Sequence, residues 1–194
     1  MPTFRESVAA GARLMGANRA GDPIEIADYD PAWPARFEQM RARLAGALGA
    51  TALRIDHVGS TAVPGLAAKP VIDIQISVPD VADAAAFTEA IEAQGFASRM
   101  IEPGHHYFRP PPGLPRDYQV HVCTIGSDWE WRHLLFRDYL RADPETRAGY
   151  EALKRDLATR FTHDRIGYND AKGPFIEAAV ERAQEWAERT GWRP

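Results

Sequence analysis

Between Val71 and Val78 the chain alternates strictly, with Ile72, Ile74, Ile76 and Val78 interleaved among Val71, Asp73, Gln75 and Ser77. A period of two is the pattern of a half-buried strand, and it puts Asp73 and Gln75 on one face. Same-face neighbours lie roughly 6.6 Å apart along a strand, so two oxygen-bearing side chains there can converge on one metal ion or ligand. A shorter apolar run from about Leu53 to Val58 precedes it and ends at Gly59-Ser60. Small residues let the chain turn tightly there and offer backbone N–H groups to an anion.

Elsewhere the period lengthens to that of a helix. Asp30-Pro31 reads as an N-cap with proline in the first turn, and Phe37, Met40, Leu44 and Leu48 recur behind it until Gly49. Ile24 to Ala27 suggests a short strand. Pro79-Asp80 opens a second helix through Ala84, Phe87 and Ile91, ending at Gly95. His106 to Arg109, a Pro-rich turn at Pro110 to Pro115 and a strand from Tyr118 to Ile125 follow. From Ser127 the pattern is helical throughout. Ser127 and Glu130 form a capping box ahead of Trp131, Leu134, Leu135 and Tyr139. Asp143-Pro144 restarts a helix with Tyr150, Leu153, Leu157 and Phe161 in phase, and a last helix begins at Pro174. Mixed α and β elements followed by helices predict an α+β domain. We divide the chain into a flexible N-terminal extension at 1–23, an α/β core at 24–126 and a C-terminal helical subdomain at 127–194 packed on that core.

Composition narrows the functional classes. The chain has 194 residues and a formal net charge of −4, with no long block of either sign, so no general nucleic-acid binding is expected. No apolar run approaches the roughly 20 residues that span a bilayer. A single cysteine, Cys123, excludes an internal disulfide and suits a reducing compartment. The expected location is cytoplasmic.

The opening segment carries the chemistry. A Gly-Ser turn leading into a strand carboxylate about a dozen positions later is one way enzymes build a nucleotide site. Gly59, Ser60 and Thr61 would hold phosphate and Asp73 a hard cation; the same residues also suit an ordinary turn and a surface acid. Lys69 is within reach of phosphate near Ser60. His133 and Arg137, four apart on a helix, suit an anion or a solvated face, and Tyr168 and Lys172 share that spacing. His57 sits where it can brace the turn, and His105-His106 reads as loop chemistry. His121 and Cys123 face the same way but make only two ligands of a metal site.

The run HVGSTAVPGLAAKPVIDI from His57 to Ile74 resembles the signature of the GrpB family. So do Asp28 to Pro34, His121, the helical stretch Arg132 to Arg141 and the closing stretch Tyr168 to Ile176, in that order along the chain. The resemblance implies a nucleotidyltransferase-like mixed β-sheet with flanking helices and a C-terminal helical subdomain. It implies a nucleotide or phosphorylated small molecule as ligand and Mg2+ or Mn2+ as cofactor, with Asp73 as metal ligand. Because similar domains occur fused to dephospho-CoA kinase, it also implies a functional link to coenzyme A biosynthesis. The superfamily pattern is Gly-Ser, then a pair of strand acids, then a third acid on a later strand. Here Gln75 and His121 stand at two of the acidic positions. Two readings follow. In one, metal-dependent nucleotidyl transfer uses Asp73, Gln75 and His121, with Gln75 orienting ligand or metal-bound water and His121 as base or orienting group. In the other, the protein is a catalytically silent nucleotide-binding or regulatory module of the same fold.

Overall fold

The computed structural model describes residues 13–14 and 23–194, so the extension expected at 1–23 lies almost wholly outside the described residues. The strands are β1 (Arg13–Leu14), β2 (Arg54–Val58), β3 (Ile72–Val78), β4 (Ala97–Glu102), β5 (His105–Arg109) and β6 (Tyr118–Thr124). They form one sheet in the order β1-β4-β5-β6-β3-β2. Only β3 and β6 are parallel neighbours; the other pairs are antiparallel. The helices are α1 (Trp33–Leu48), α2 (Thr88–Glu92), α3 (Asp128–Ala142), α4 (Pro144–Arg160) and α5 (Arg165–Thr190). The architecture is α+β, as the order of sequence patterns predicts.

The period-2 alternation of β3 is what builds the core. Ile72, Ile74, Ile76 and Val78 meet Val120 and Val122 of β6 and Phe108 of β5 on one face, against Trp33, Phe37, Met40 and Leu44 of α1. Full burial of each such side chain stabilises the fold by about 1.5–3 kcal/mol. The opposite face was expected to be half open, and the structure corrects this. Gln75 and Ser77 are completely buried, because α3 lies across that end of β3 and β6. Ser77 Oγ donates to the Glu130 carboxylate of α3, which also accepts from Gly126 N–H at 2.6 Å. Glu130 therefore ties the helix start to the sheet, while Ser127 caps it by accepting from Glu130 N–H at 3.3 Å. Asp73, at the start of β3, escapes this cover, with 27% of its side chain exposed.

Several elements depart from their sequence signals. Ile24 to Ala27 makes only an isolated bridge, Ala27 to Ala68. Strand β4 has no clear alternation and was not expected; its pairing with β5 contains a register shift between Ser98 and Met100, which breaks any period of two. Asp80 closes a local turn by accepting from Ala82 N–H at 2.9 Å, so α2 starts only at Thr88. The last helix starts at Arg165 rather than Pro174: Asp164 caps it by accepting from Gly167 N–H at 2.9 Å, and Pro174 lies inside it. The extra turns bring Arg165, Tyr168 and Lys172 to the sheet.

The helices α3 to α5 pack on the segment after β2. Val63 and Leu66 are buried against Leu140 of α3 and Tyr150 of α4, and Tyr168 of α5 packs with Leu157 and Ile24. The space between this helical layer and the polar face of the sheet forms a cavity.

Candidate functional site

Gly59 ends β2 with φ +69° and ψ −172°, a conformation that is essentially restricted to glycine. A Cβ there would also overlap Oδ2 of Asp73. The turn and the strand carboxylate are thus built in contact, which only glycine permits. The turn continues as a short 3-10 segment, Ser60–Ala62. Thr61 Oγ1 donates to the Val71 carbonyl at 3.0 Å, so it accepts from His57 Nε2–H, also at 3.0 Å. His57 stacks on Phe37 with ring centroids 4.8 Å apart. Burial pushes the His57 imidazole down to about 4, partly opposed by the Asp73 charge, so a neutral ring braces the turn. From outside, Arg141 donates twice to the Ala62 carbonyl, at 3.0 and 2.7 Å, and Arg137 Nη1 donates to the His57 carbonyl at 3.1 Å.

The turn and Asp73 open into a cavity of about 330 Å3 whose wall also carries Lys69, Lys154 and Lys172. Arg99, Arg109 and Arg165 also line it, and Asp73 is the one carboxylate among the described lining residues. The lysines rest on tyrosine faces. Lys69 and Lys172 lie 5.1 and 4.5 Å from the Tyr168 ring centre, and Lys154 lies 4.8 Å from that of Tyr150. Lys154 Nζ also donates to the Ala67 carbonyl. Burial lowers the Lys154 ammonium to about 7 and lowers that of Lys69. Lys172 is driven well below the usual lysine range, by burial first and then by Lys69 and Lys154. Like charges gathered out of water oppose one another, and an anion among them relieves the conflict.

The sheet side of the cavity includes His105 and His121. His121 on β6 places Nε2 3.9 Å from Asp73 Oδ1, and its Nδ1 lies 2.9 Å from Nε2 of His105 on β5. The other nitrogen of His105, Nδ1, meets Glu102 Oε1 at 2.8 Å. Trp129 stacks on His105 with centroids 4.3 Å apart and on His133 at 3.7 Å. His105 is thus a strand residue in a hydrogen-bonded chain, which corrects its reading as loop chemistry.

The expected site residues divide. Gly59, Ser60, Thr61, Lys69, Asp73, His121 and Lys172 line one cavity. Three others lie away from it. Gln75 is sealed under α3, and neither end of its amide has a hydrogen-bond partner among the described residues. His133 is turned to Trp129, meeting its carbonyl through Nδ1 at 2.7 Å. Arg137 is engaged by Asp138 at 2.8 Å and by Asp56 at 3.4 Å, and it lines a separate cleft with Tyr29 and Glu38. Lys154, Tyr150, Arg99, Arg109 and Arg165 were not foreseen. Lys154 falls four residues after Tyr150 on a helix, a spacing that could have flagged it; the arginines carry no such signal.

The donor set does not fit Mg2+ or Mn2+. Among the described residues no three or more His, Cys, Asp or Glu side chains gather to hold a metal. Asp73, the one carboxylate among the described lining residues, supplies too few oxygen donors for a hard divalent cation. Among the described residues no helix is long and apolar enough to cross a membrane.

Comparison with known proteins agrees with this architecture. The crystal structure of conserved protein GrpB from Enterococcus faecalis superposes with a TM-score of 0.73 and 32% identity, covering 84% of this chain and 99% of that one. A UPF0157 protein of Streptomyces coelicolor is 42% identical over 160 residues, covering 82% of this chain and 84% of its own length. A dephospho-CoA kinase of Mycolicibacterium paratuberculosis is 38% identical across 89% of this chain, which spans 49% of that protein. The sequence model of the GrpB protein family matches residues 23–182, and with these similarities it shows that the chain belongs to the GrpB family.

Proposed function

We propose that the cavity between the sheet and the helical layer binds the phosphates of a nucleotide or another phosphorylated small molecule, and that phosphoryl or nucleotidyl transfer is the reaction class. The convergence of Lys69, Lys154 and Lys172 beside the Gly59-Ser60 turn carries the reading. A phosphate chain presents several anionic oxygens at a spacing that suits these three amines. The similarity to a dephospho-CoA kinase makes adenine nucleotides and coenzyme A precursors the first ligands to try.

A second reading, that of a catalytically silent nucleotide-binding or regulatory module, is favoured by one observation. The position expected of a second strand acid is Gln75, and it is sealed away from the cavity. The two readings separate when binding and turnover of a nucleotide panel are followed for wild type and Asp73→Ala, with and without Mg2+ or Mn2+. Turnover lost in Asp73→Ala supports transfer. Binding that needs no metal, without turnover of any nucleotide, supports the silent module. Absence of binding by every phosphorylated ligand would reject both.

A further inference from the structure

We propose that His121 is the proton acceptor of this cavity, with its Nε2 lone pair held toward Asp73 and the ligand by Glu102 acting through His105. The inference rests on the phosphate-ligand reading for its substrate, but its geometry stands independently of any ligand. A carboxylate accepts hydrogen bonds and cannot donate them. The 2.8 Å contact between Glu102 Oε1 and His105 Nδ1 therefore places a proton on Nδ1 of His105. Burial holds this imidazole down to about 4, so the ring is neutral and its Nε2 carries a lone pair. At 2.9 Å from that lone pair, His121 Nδ1 must be the donor. A neutral His121 then has its proton on Nδ1 and a lone pair on Nε2. The order of protons is dictated from the strand end inward.

Two further observations agree with this assignment. Nε2 of His121 and Oδ1 of Asp73 are 3.9 Å apart, beyond hydrogen-bond distance, as expected of two acceptors with no proton between them. A hydroxyl seated in that gap can donate to either. Trp129 lies flat on His105, with planes 12° apart, and its centroid is 5.5 Å from that of His121. The ring stack limits rotation of the pair. Glu102 and His105 are positioning residues in this scheme, and His121 alone touches the reacting group.

In the step this arrangement permits, an acceptor hydroxyl donates to Nε2 of His121 while the cationic wall holds the phosphates. Its oxygen forms a bond to phosphorus and its proton passes to Nε2. The bond from phosphorus to the leaving phosphate oxygen breaks, and that oxygen departs with the electron pair. The resulting imidazolium lies beside the Asp73 carboxylate, which stabilises its charge.

The test is the tautomer itself, read by long-range proton–nitrogen correlation of the 15N-labelled full chain at about pH 8, where unpaired histidines are neutral. The expected result is Nδ1–H with a free Nε2 for both His105 and His121. In Glu102→Gln the amide can donate as well as accept, so the enforced order is lost and an Nε2–H form of His121 appears. Wild-type His121 protonated on Nε2, or a tautomer unmoved by Glu102→Gln, would overturn the proposal. With any nucleotide that turns over, His121→Gln should lower the rate about 100-fold or more while changing affinity far less, and Glu102→Gln should lower it to a smaller extent. A rate unchanged in His121→Gln would also overturn it. If the tautomers are as expected but no phosphorylated ligand binds, the ligand reading fails and the assigned proton order stands.

Discussion

Gly59 shows how tightly the site depends on single residues. Its backbone conformation and its contact with Asp73 both exclude a side chain, so Gly59→Ala is expected to destabilise the fold by about 2 kcal/mol or more. Urea unfolding measures the loss, and phosphate binding should weaken with it. Lys172 should behave in the opposite sense. It is a buried amine whose charge is opposed by burial and by its lysine neighbours, so Lys172→Met is expected to raise stability by about 1 kcal/mol while weakening triphosphate binding at least about 10-fold. A variant that loses both stability and binding would mean that the lysine serves packing. Lys154, lowered to about 7, is charged below that pH and neutral above it. Affinity for a phosphate ligand should therefore fall as pH rises from about 7 to 9, measured by titration calorimetry in Lys154→Met beside wild type. At this scale Asp73, Gly59 and Ser60 were legible because a turn and an alternating strand mark them locally. Gln75 misled because alternation reports which face a residue takes and not whether a distant helix covers that face.

Among the elements, the strong periodicities of α1, β3 and α3 were readable, and the weaker ones were not. The β4 register shift erases its alternation, and proline in α5 imitates a helix start. The real cap is Asp164, ten residues earlier. Pro174 lacks the N–H that would bond to the carbonyl four residues back. Pro174→Ala should therefore leave the fold intact and stabilise it by roughly 1 kcal/mol, whereas Asp164→Ala should cost about 1 kcal/mol through the lost cap. Thermal unfolding of both variants checks the pair. Destabilisation by Pro174→Ala would show that the ring's packing outweighs the missing bond.

For the whole molecule, neutral histidines link the sheet, the turn and the helical layer. Burial lowers His57 and His105 to about 4 and His133 to about 3, from 6.5 in the unfolded chain. Below pH 6.5 the unfolded state binds protons that the folded state refuses, so stability is full above 6.5 and is lost as pH falls toward 4. The loss is on the order of a few kcal/mol and should be visible as a falling urea midpoint between those pH values, with a shallower slope in His57→Gln. The cavity itself was only partly legible. Its sheet wall follows from the family-like segment, but its cationic wall gathers Arg99, Lys154 and Arg165 from β4, α4 and the unforeseen start of α5. That convergence is a property of the packed chain.

Calorimetric titration of wild type, Lys69→Met and Lys172→Met with ATP and inorganic triphosphate decides whether the lysine wall of the cavity is a phosphate site. Saturable one-to-one binding of at least one of these ligands to wild type is expected, weakened at least about 10-fold in each variant. Absence of binding to wild type, or binding of equal strength in all three proteins, would contradict it.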